Sequence, residues 1–207
     1  MSIPSNPIEQ IQTIEKQITD LTQQLTELRR QVVQNEGIPD YHFATLNGQV
    51  SLKDLFHGRE LLFAIHNMGQ GCRYCTLWAD GLNGFLPHLE DQYSVVLLSK
   101  DSPEAQQRFA HSRNWRYRMA SHGGGDYIQE QSVMSGDTNM PGIVCYALEG
   151  DRIIRKGSAV FGPGDLFCSI WHILALAGID DSEWIPQFSY WQKPTLEQME
   201  DGGKGLK

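Results

Sequence analysis

Apolar positions recur with two different periods along this chain, and the change of period divides it. Between positions 8 and 33, Ile11, Ile14, Ile18, Leu21, Leu25, Leu28 and Val32 stand alternately three and four residues apart. That spacing is a strict heptad seam on an amphipathic helix, with Gln, Thr, Glu, Lys and Arg between the apolar positions. Gly37 and Pro39 end it. A seam of this kind either pairs with another helix or docks on its own domain. Gln17, Gln24 and Gln31 flank it and specify no charged partner. Self-association leads, as a coiled-coil homodimer through residues 8–33.

Past Pro39 the apolar runs shorten. Residues 41–45 read as a short strand followed by a turn, and Ser51 as the cap of a brief helix through Leu55. Residues 60–66 are nearly continuously apolar, which suits a buried central strand. A glycine-containing loop, 67–71, leads to Cys72 and a helix to about Glu90. A second buried strand spans 93–98, and Ser102-Pro103 opens a helix to about Arg113. Residues 115–139 hold Gly123-Gly124-Gly125 and read mostly as loop. Residues 142–148 and 152–155 form a hairpin across Glu149-Gly150-Asp151, and 162–178 a last apolar helix. Strands alternating with helices imply a parallel core, to which the late hairpin adds antiparallel strands. The expected fold is α/β, a thioredoxin-like three-layer sandwich with a mixed central sheet. It would occupy residues 38–180, after an N-terminal helix over 1–37 and before a polar tail over 181–207.

Charge and composition narrow the function. The 207 residues carry a formal net charge of −8, which disfavours the phosphate contacts of nucleic-acid binding and a basic membrane-surface patch. No apolar run approaches the roughly 18 residues of a membrane span. Residues 1–7 have neither a basic start nor an apolar stretch, so the chain reads as cytoplasmic, without nucleic-acid or membrane partners. Four cysteines, Cys72, Cys75, Cys145 and Cys168, are too few for a disulfide scaffold.

Cys72-Arg73-Tyr74-Cys75 carries the sharpest chemical signal. A CxxC between a buried strand and a helix puts its first sulfur at the helix N-terminus, where free N–H groups and the positive dipole end favour a thiolate. The thiolate is the attacking species, and one helical turn brings the second sulfur within reach to resolve a mixed disulfide. Cys72 is thus the expected nucleophile and Cys75 the resolving thiol. A zinc site would need a second ligand pair, yet Cys145 and Cys168 stand 23 positions apart. Haem attachment would need His at position 76, which is Thr. No metal or cofactor is expected. A chance or redox-inert pair is the bland alternative.

Four further residues are candidates for supporting roles. In a thioredoxin-like fold a cis proline before the hairpin strand faces the CxxC, and Pro141 is expected to be cis and to shape a substrate groove. His66 ends the strand leading to the motif, either near the thiolate or hydrogen-bonded at a strand terminus. Asp80, five residues past Cys75, is a proton acceptor for the resolving thiol, a cap, or a solvent-exposed carboxylate. Trp78 is expected to pack beside the site. Cys145 and Cys168 read as inert core residues, and Gly123-Gly124-Gly125-Asp126 as a flexible loop rather than a phosphate cradle.

These residues together resemble a bacterial thioredoxin-like family catalogued as domain of unknown function 899. Some of its members are described as predicted dithiol-disulfide isomerases. The resemblance is carried by Tyr41-His42-Phe43, Val50-Ser51-Leu52, Leu55-Phe56, Ile65-His66, Trp115-Arg116-Tyr117, Asp126-Tyr127 and Pro141-Gly142-Ile143. Its most specific block is Cys72-Arg73-Tyr74-Cys75 with Trp78-Ala79-Asp80-Gly81 and Asn83-Gly84. It implies a thioredoxin-like fold and a redox role. The leading expectation is a thiol–disulfide oxidoreductase acting on a disulfide-containing protein or small thiol substrate. A peroxiredoxin-type thiol peroxidase ranks lower, because the Pro-x-x-x-Thr/Ser-x-x-Cys pattern meets Ile65 and Gly69 before Cys72, and Met68 and Cys72 before Cys75. A non-enzymatic redox sensor or adaptor acting through the N-terminal helix is the third reading.

Overall fold

The computed structural model describes residues 6–32 and 36–190. Residues 1–5 and 33–35 of the expected N-terminal helix region and the tail from 191 onward lie outside the described residues. Two compact units result, the N-terminal helix and the remainder from Glu36.

Helix α1 runs Pro7–Gln31. Asn6 caps it by accepting the Ile8 N–H, and Pro7 stands at the first turn, where a missing N–H costs nothing. Four threonines on it, Thr13, Thr19, Thr22 and Thr26, satisfy their hydroxyls on the preceding turn's carbonyls.

The second unit comprises β1 (Gly37–Ile38), β2 (His42–Thr45), β3 (Gly48–Ser51), a 3-10 turn (Asp54–Phe56) and β4 (Leu61–His66). Then follow α2 (Arg73–Asn83), α3 (Leu86–Leu89), β5 (Ser94–Ser99), α4 (Pro103–Ser112), β6 (Arg118–Ser121) and α5 (Asp126–Gln131). The chain continues through β7 (Gly142–Glu149), β8 (Arg152–Val160) and α6 (Ser169–Ala175). The eight strands form one sheet in the order β1-β8-β7-β4-β5-β6-β2-β3. β4, β5 and β6 are parallel and the other pairings antiparallel, which makes the sheet mixed as expected.

Strand alternation sends successive side chains to opposite faces. Leu62 and Ala64 of β4, with Val96 and Leu98 of β5, join a cluster that includes Phe43, Phe56, Tyr127 and Ile128. Phe63 and Ile65, with Val95 and Leu97, face Trp78, Ala79 and Leu82 of α2 and Trp171 of α6. The sheet is therefore covered on both faces, which is why β4 and β5 read as unbroken apolar runs.

Several elements differ from the sequence reading. Residues 115–139 contain β6 and α5 rather than loop alone. β6 is four residues long and is fixed by its pairing with β5 rather than by its own pattern. Residues 48–51 extend the expected turn into a second strand, β3. Ser51 ends that strand rather than capping a helix: its hydroxyl accepts the Asp54 N–H and its own N–H donates to Asp54, and a single 3-10 turn follows with Lys53 at its N-cap. The helix from Cys72 breaks at Gly84 and resumes as α3. The last helix is limited to Ser169–Ala175, because the Asp165 carboxylate accepts the N–H groups of Gly162, Phe167 and Cys168 and holds 162–168 out of helix. β8 continues to Val160, paired along all of β7.

Candidate functional site

Cys72 is the N-cap of α2 at the carboxyl end of the parallel β4. Open α/β sheets place their ligand crevices at such strand ends. The Cys72 sulfur accepts the backbone N–H of Cys75 at 3.0 Å, a donor that the first turn of a helix leaves without an internal partner. The Cys75 thiol, the N–H groups of Cys75 and Tyr74, and the charge of Arg73 hold Cys72 below the ordinary thiol range against the opposing effect of partial burial. Cys75 lies one turn on, 2% exposed, and burial followed by the neighbouring Cys72 pushes its thiol well above the ordinary range. No disulfide joins the two sulfurs. One is half-buried and shifted toward the thiolate, the other buried and shifted toward the thiol.

The loop between β4 and α2 is fixed by two side chains. Asn67, buried, accepts the Gly69 N–H at 2.8 Å and donates to the Cys75 carbonyl at 3.4 Å. Its own N–H donates to the Leu98 carbonyl of β5 at 2.8 Å. Asp101, just past β5, accepts the Gln70 N–H at 2.7 Å. The loop thereby directs the Met68 N–H at the Cys75 sulfur from 3.5 Å. Neither Asn67 nor Asp101 was singled out from the sequence. The signal for Asn67 was a polar residue directly after an apolar strand; Asp101 gave none, because its loop partner Gln70 is 31 positions away.

The other expected residues divide. Trp78 stacks on Phe161 at 5.5 Å between ring centroids and lies near Tyr74 and Trp171. His66 shares the sheet face of Leu62 and Ala64, opposite α2. Its Nε2 pairs with the Tyr127 hydroxyl at 2.7 Å, and Tyr127 in turn with the Tyr146 hydroxyl at 3.1 Å. Burial lowers His66 to about 3. It is a neutral core histidine, separated from the thiolate by the sheet. Asp80 neither caps a helix nor stands free in solvent: it pairs with Arg113 through both oxygens and accepts the Trp115 indole N–H at 2.7 Å. This ties α2 to the end of α4.

Pro141 departs from expectation. No cis peptide bond occurs among the described residues, so Met140–Pro141 is trans. The register places Pro141 one step beyond the Gly142–His66 pair, beside Asn67 and at the CxxC end of the sheet. Its carbonyl accepts the Phe161 N–H at 2.9 Å and Gly142 enters the ladder directly. Burial raises both Cys145 and Cys168. Among the described residues no cluster of three or more His, Cys, Asp or Glu is placed to hold a metal ion. Nor is any described helix long and apolar enough to cross a membrane.

Sheet and motif together define the class, a thioredoxin-like α/β protein with a reduced CxxC opening the helix after its central strand. Residues 8–192 match the family described as bacterial protein of unknown function (DUF899), and the chain belongs to that family. Among solved structures it is similar to the peroxidoxin BcpB of Mycobacterium tuberculosis, with 18% identity and a TM-score of 0.50, over 69% of this chain and 92% of that one. It is also similar to the reduced 2-Cys peroxiredoxin of Plasmodium vivax, with 14% identity and a TM-score of 0.50, over 69% of this chain and 94% of that one. At these identities the likeness is one of fold. No curated protein sequence matches the chain.

Proposed function

We propose that the protein is a thiol–disulfide oxidoreductase in which Cys72 attacks and Cys75 resolves. The carrying observation is the asymmetry of the pair: the half-buried sulfur is lowered by the donors at the helix start, and the buried one is raised. The Cys72 thiolate attacks one sulfur of a substrate disulfide, forms a mixed disulfide and expels the other sulfur as a thiolate. Cys75 then loses its proton and attacks the Cys72 sulfur, releasing the second substrate thiolate and leaving a Cys72–Cys75 disulfide. The substrate gains two electrons, and a dithiol reductant returns the pair to its reduced form. Disulfide-containing proteins or small disulfides are the substrates this chemistry takes.

The test is turnover of oxidised glutathione and of a protein disulfide with dithiothreitol as reductant. Cys72→Ser should abolish turnover. Cys75→Ser should trap the mixed disulfide on Cys72, read as added mass. Retained turnover in Cys72→Ser overturns the assignment.

The peroxiredoxin-like fold favours a second reading, a thiol peroxidase using the same two sulfurs. There the Cys72 thiolate would take an oxygen from a hydroperoxide, giving a sulfenic acid and an alcohol after protonation. Cys75 would then condense with it, losing water. It ranks second because Ile65 and Gly69 stand where that chemistry's Pro and Thr or Ser precede the cysteine. Rapid peroxide consumption by the reduced protein, ending in a Cys72–Cys75 disulfide, would reverse the order.

A further inference from the structure

We propose that α1 joins two copies of this chain as a parallel, in-register, two-stranded coiled coil. The helix has no buried residue. Its seven seam residues, Ile11 to Val32 at heptad spacing, are between 37% and 61% exposed. Helices in proteins take most of their stability from packing an apolar face, and within its own unit nothing covers this one. From Ile11 to Val32 the seam holds only the a and d positions, with Ile8 alone apolar at e; it is narrower than the stripe by which a helix docks on a globular domain and of the width that a partner helix covers.

The residues on and beside the seam select the occupant. With Ile11 at position a, the a residues are Ile11, Ile18, Leu25 and Val32, and the d residues Ile14, Leu21 and Leu28. β-Branched residues prevail at a and Leu at d, the combination that favours two parallel strands. The g positions are Gln10, Gln17, Gln24 and Gln31, and the e positions Ile8, Glu15, Thr22 and Arg29. In a parallel pair, Gln10, Gln17 and Gln24 would face Glu15, Thr22 and Arg29 of the second copy. No like charges meet, and an amide both donates and accepts, so each pairing is compatible. An antiparallel pair would bring Glu15 to Arg29 of the second copy, but it leaves one end of the seam without an aliphatic partner. An exposed ion pair contributes less than a buried aliphatic layer, so the parallel register prevails.

The experiment uses the full chain, with mass in solution measured by sedimentation equilibrium under reducing conditions. The wild type should be a dimer. Leu21→Lys sets two ammonium groups against each other at the centre of the seam and should give a monomer, with the near-ultraviolet circular dichroism of the second unit unchanged. Register is read by mild oxidation of Ile14→Cys, which should crosslink position 14 to itself, as mapped by peptide mass. Gln12→Cys, on the outer face, should not crosslink. A monomeric wild type overturns the proposal, as does a Leu21→Lys variant that stays dimeric. A dimer that fails to link through position 14 overturns its parallel register.

Discussion

The backbone N–H of Met68 points at the sulfur of Cys75 across 3.5 Å, and the Asn67 side chain holds both ends of that geometry. A buried thiol pushed upward by its surroundings must still become a thiolate to resolve a mixed disulfide, and a donor aimed at it stabilises that charge. Asn67→Ala removes the two side-chain bonds that fix the donor. Resolution should slow roughly five- to tenfold, the equivalent of about one net hydrogen bond. The mixed disulfide on Cys72 should therefore accumulate in quenched reactions read by intact mass. Decay of that species at the wild-type rate would show that the loop does not govern Cys75.

Alkylation of the reduced protein should be ordered. The helix-start donors and Arg73 lower Cys72 and burial raises Cys75, so iodoacetamide should label Cys72 first. Thiolate, and with it the labelling rate, should fall only as pH drops through the depressed Cys72 value. In Cys72→Ser the remaining motif cysteine should label slowly, with a midpoint above that of a free thiol. Equal rates at the two sites would contradict the asymmetry on which the proposed chemistry rests.

Gly69 stands at φ +109°, and a Cβ there would lie 2.8 Å and 2.9 Å from the two oxygens of the Asp101 carboxylate. Gly69→Ala therefore meets backbone strain and a clash with the group that accepts the Gln70 N–H. A loss of about 1–3 kcal/mol is expected from urea unfolding. Pairing it with Asp101→Ala separates the two causes. The double variant should recover the part due to the clash, measured against Asp101→Ala alone, and retain the part due to φ. Additive losses would mean that the carboxylate moves aside at no cost.

What the sequence made legible follows from how local each determinant is. β4 and β5 are apolar on both faces, so their runs stand out whatever surrounds them. The CxxC is legible because its spacing is itself the chemistry. β6 is not, since Arg118–Ser121 acquires its conformation from β5. The truncation of α6 depends on one carboxylate, Asp165, competing for three N–H groups. Asp101 reaches the site only after α2 and β5 have folded back beside β4. His66 is a different case. Counting by twos from Leu62 places it on the face away from α2, which leaves the hydrogen-bonded strand terminus of the two alternatives.

Asp80 tests the difference between supporting a site and acting in it. Its carboxylate is occupied by Arg113 and by the Trp115 indole. Asp80→Asn should lower stability by about 1–3 kcal/mol, because it weakens both partners' hydrogen bonds in a part-buried place. The rate at which Cys75 resolves the mixed disulfide on Cys72 should not change. Slower resolution, with stability intact, would restore Asp80 as a proton acceptor for Cys75.

Acid stability should depend on His66. In the folded protein burial lowers its pKa to about 3, whereas an unfolded chain returns it to about 6.5. Between those values the unfolded state binds the extra proton, so stability falls as pH falls below about 6.5. At pH 5 one such histidine costs about 2 kcal/mol relative to neutral pH. His122, lowered to about 4 by burial and by Lys100, acts in the same direction. His66→Gln removes the titration, whatever it costs at pH 7.5. The loss of stability between pH 7.5 and pH 5, read from urea midpoints, should be smaller by about 2 kcal/mol in this variant than in the wild type. An identical loss in both would mean that His66 is protonated within the fold, with its unbonded Nδ1 finding a partner. The pairing of its Nε2 with Tyr127 would then have to be assigned as a donation from the imidazolium.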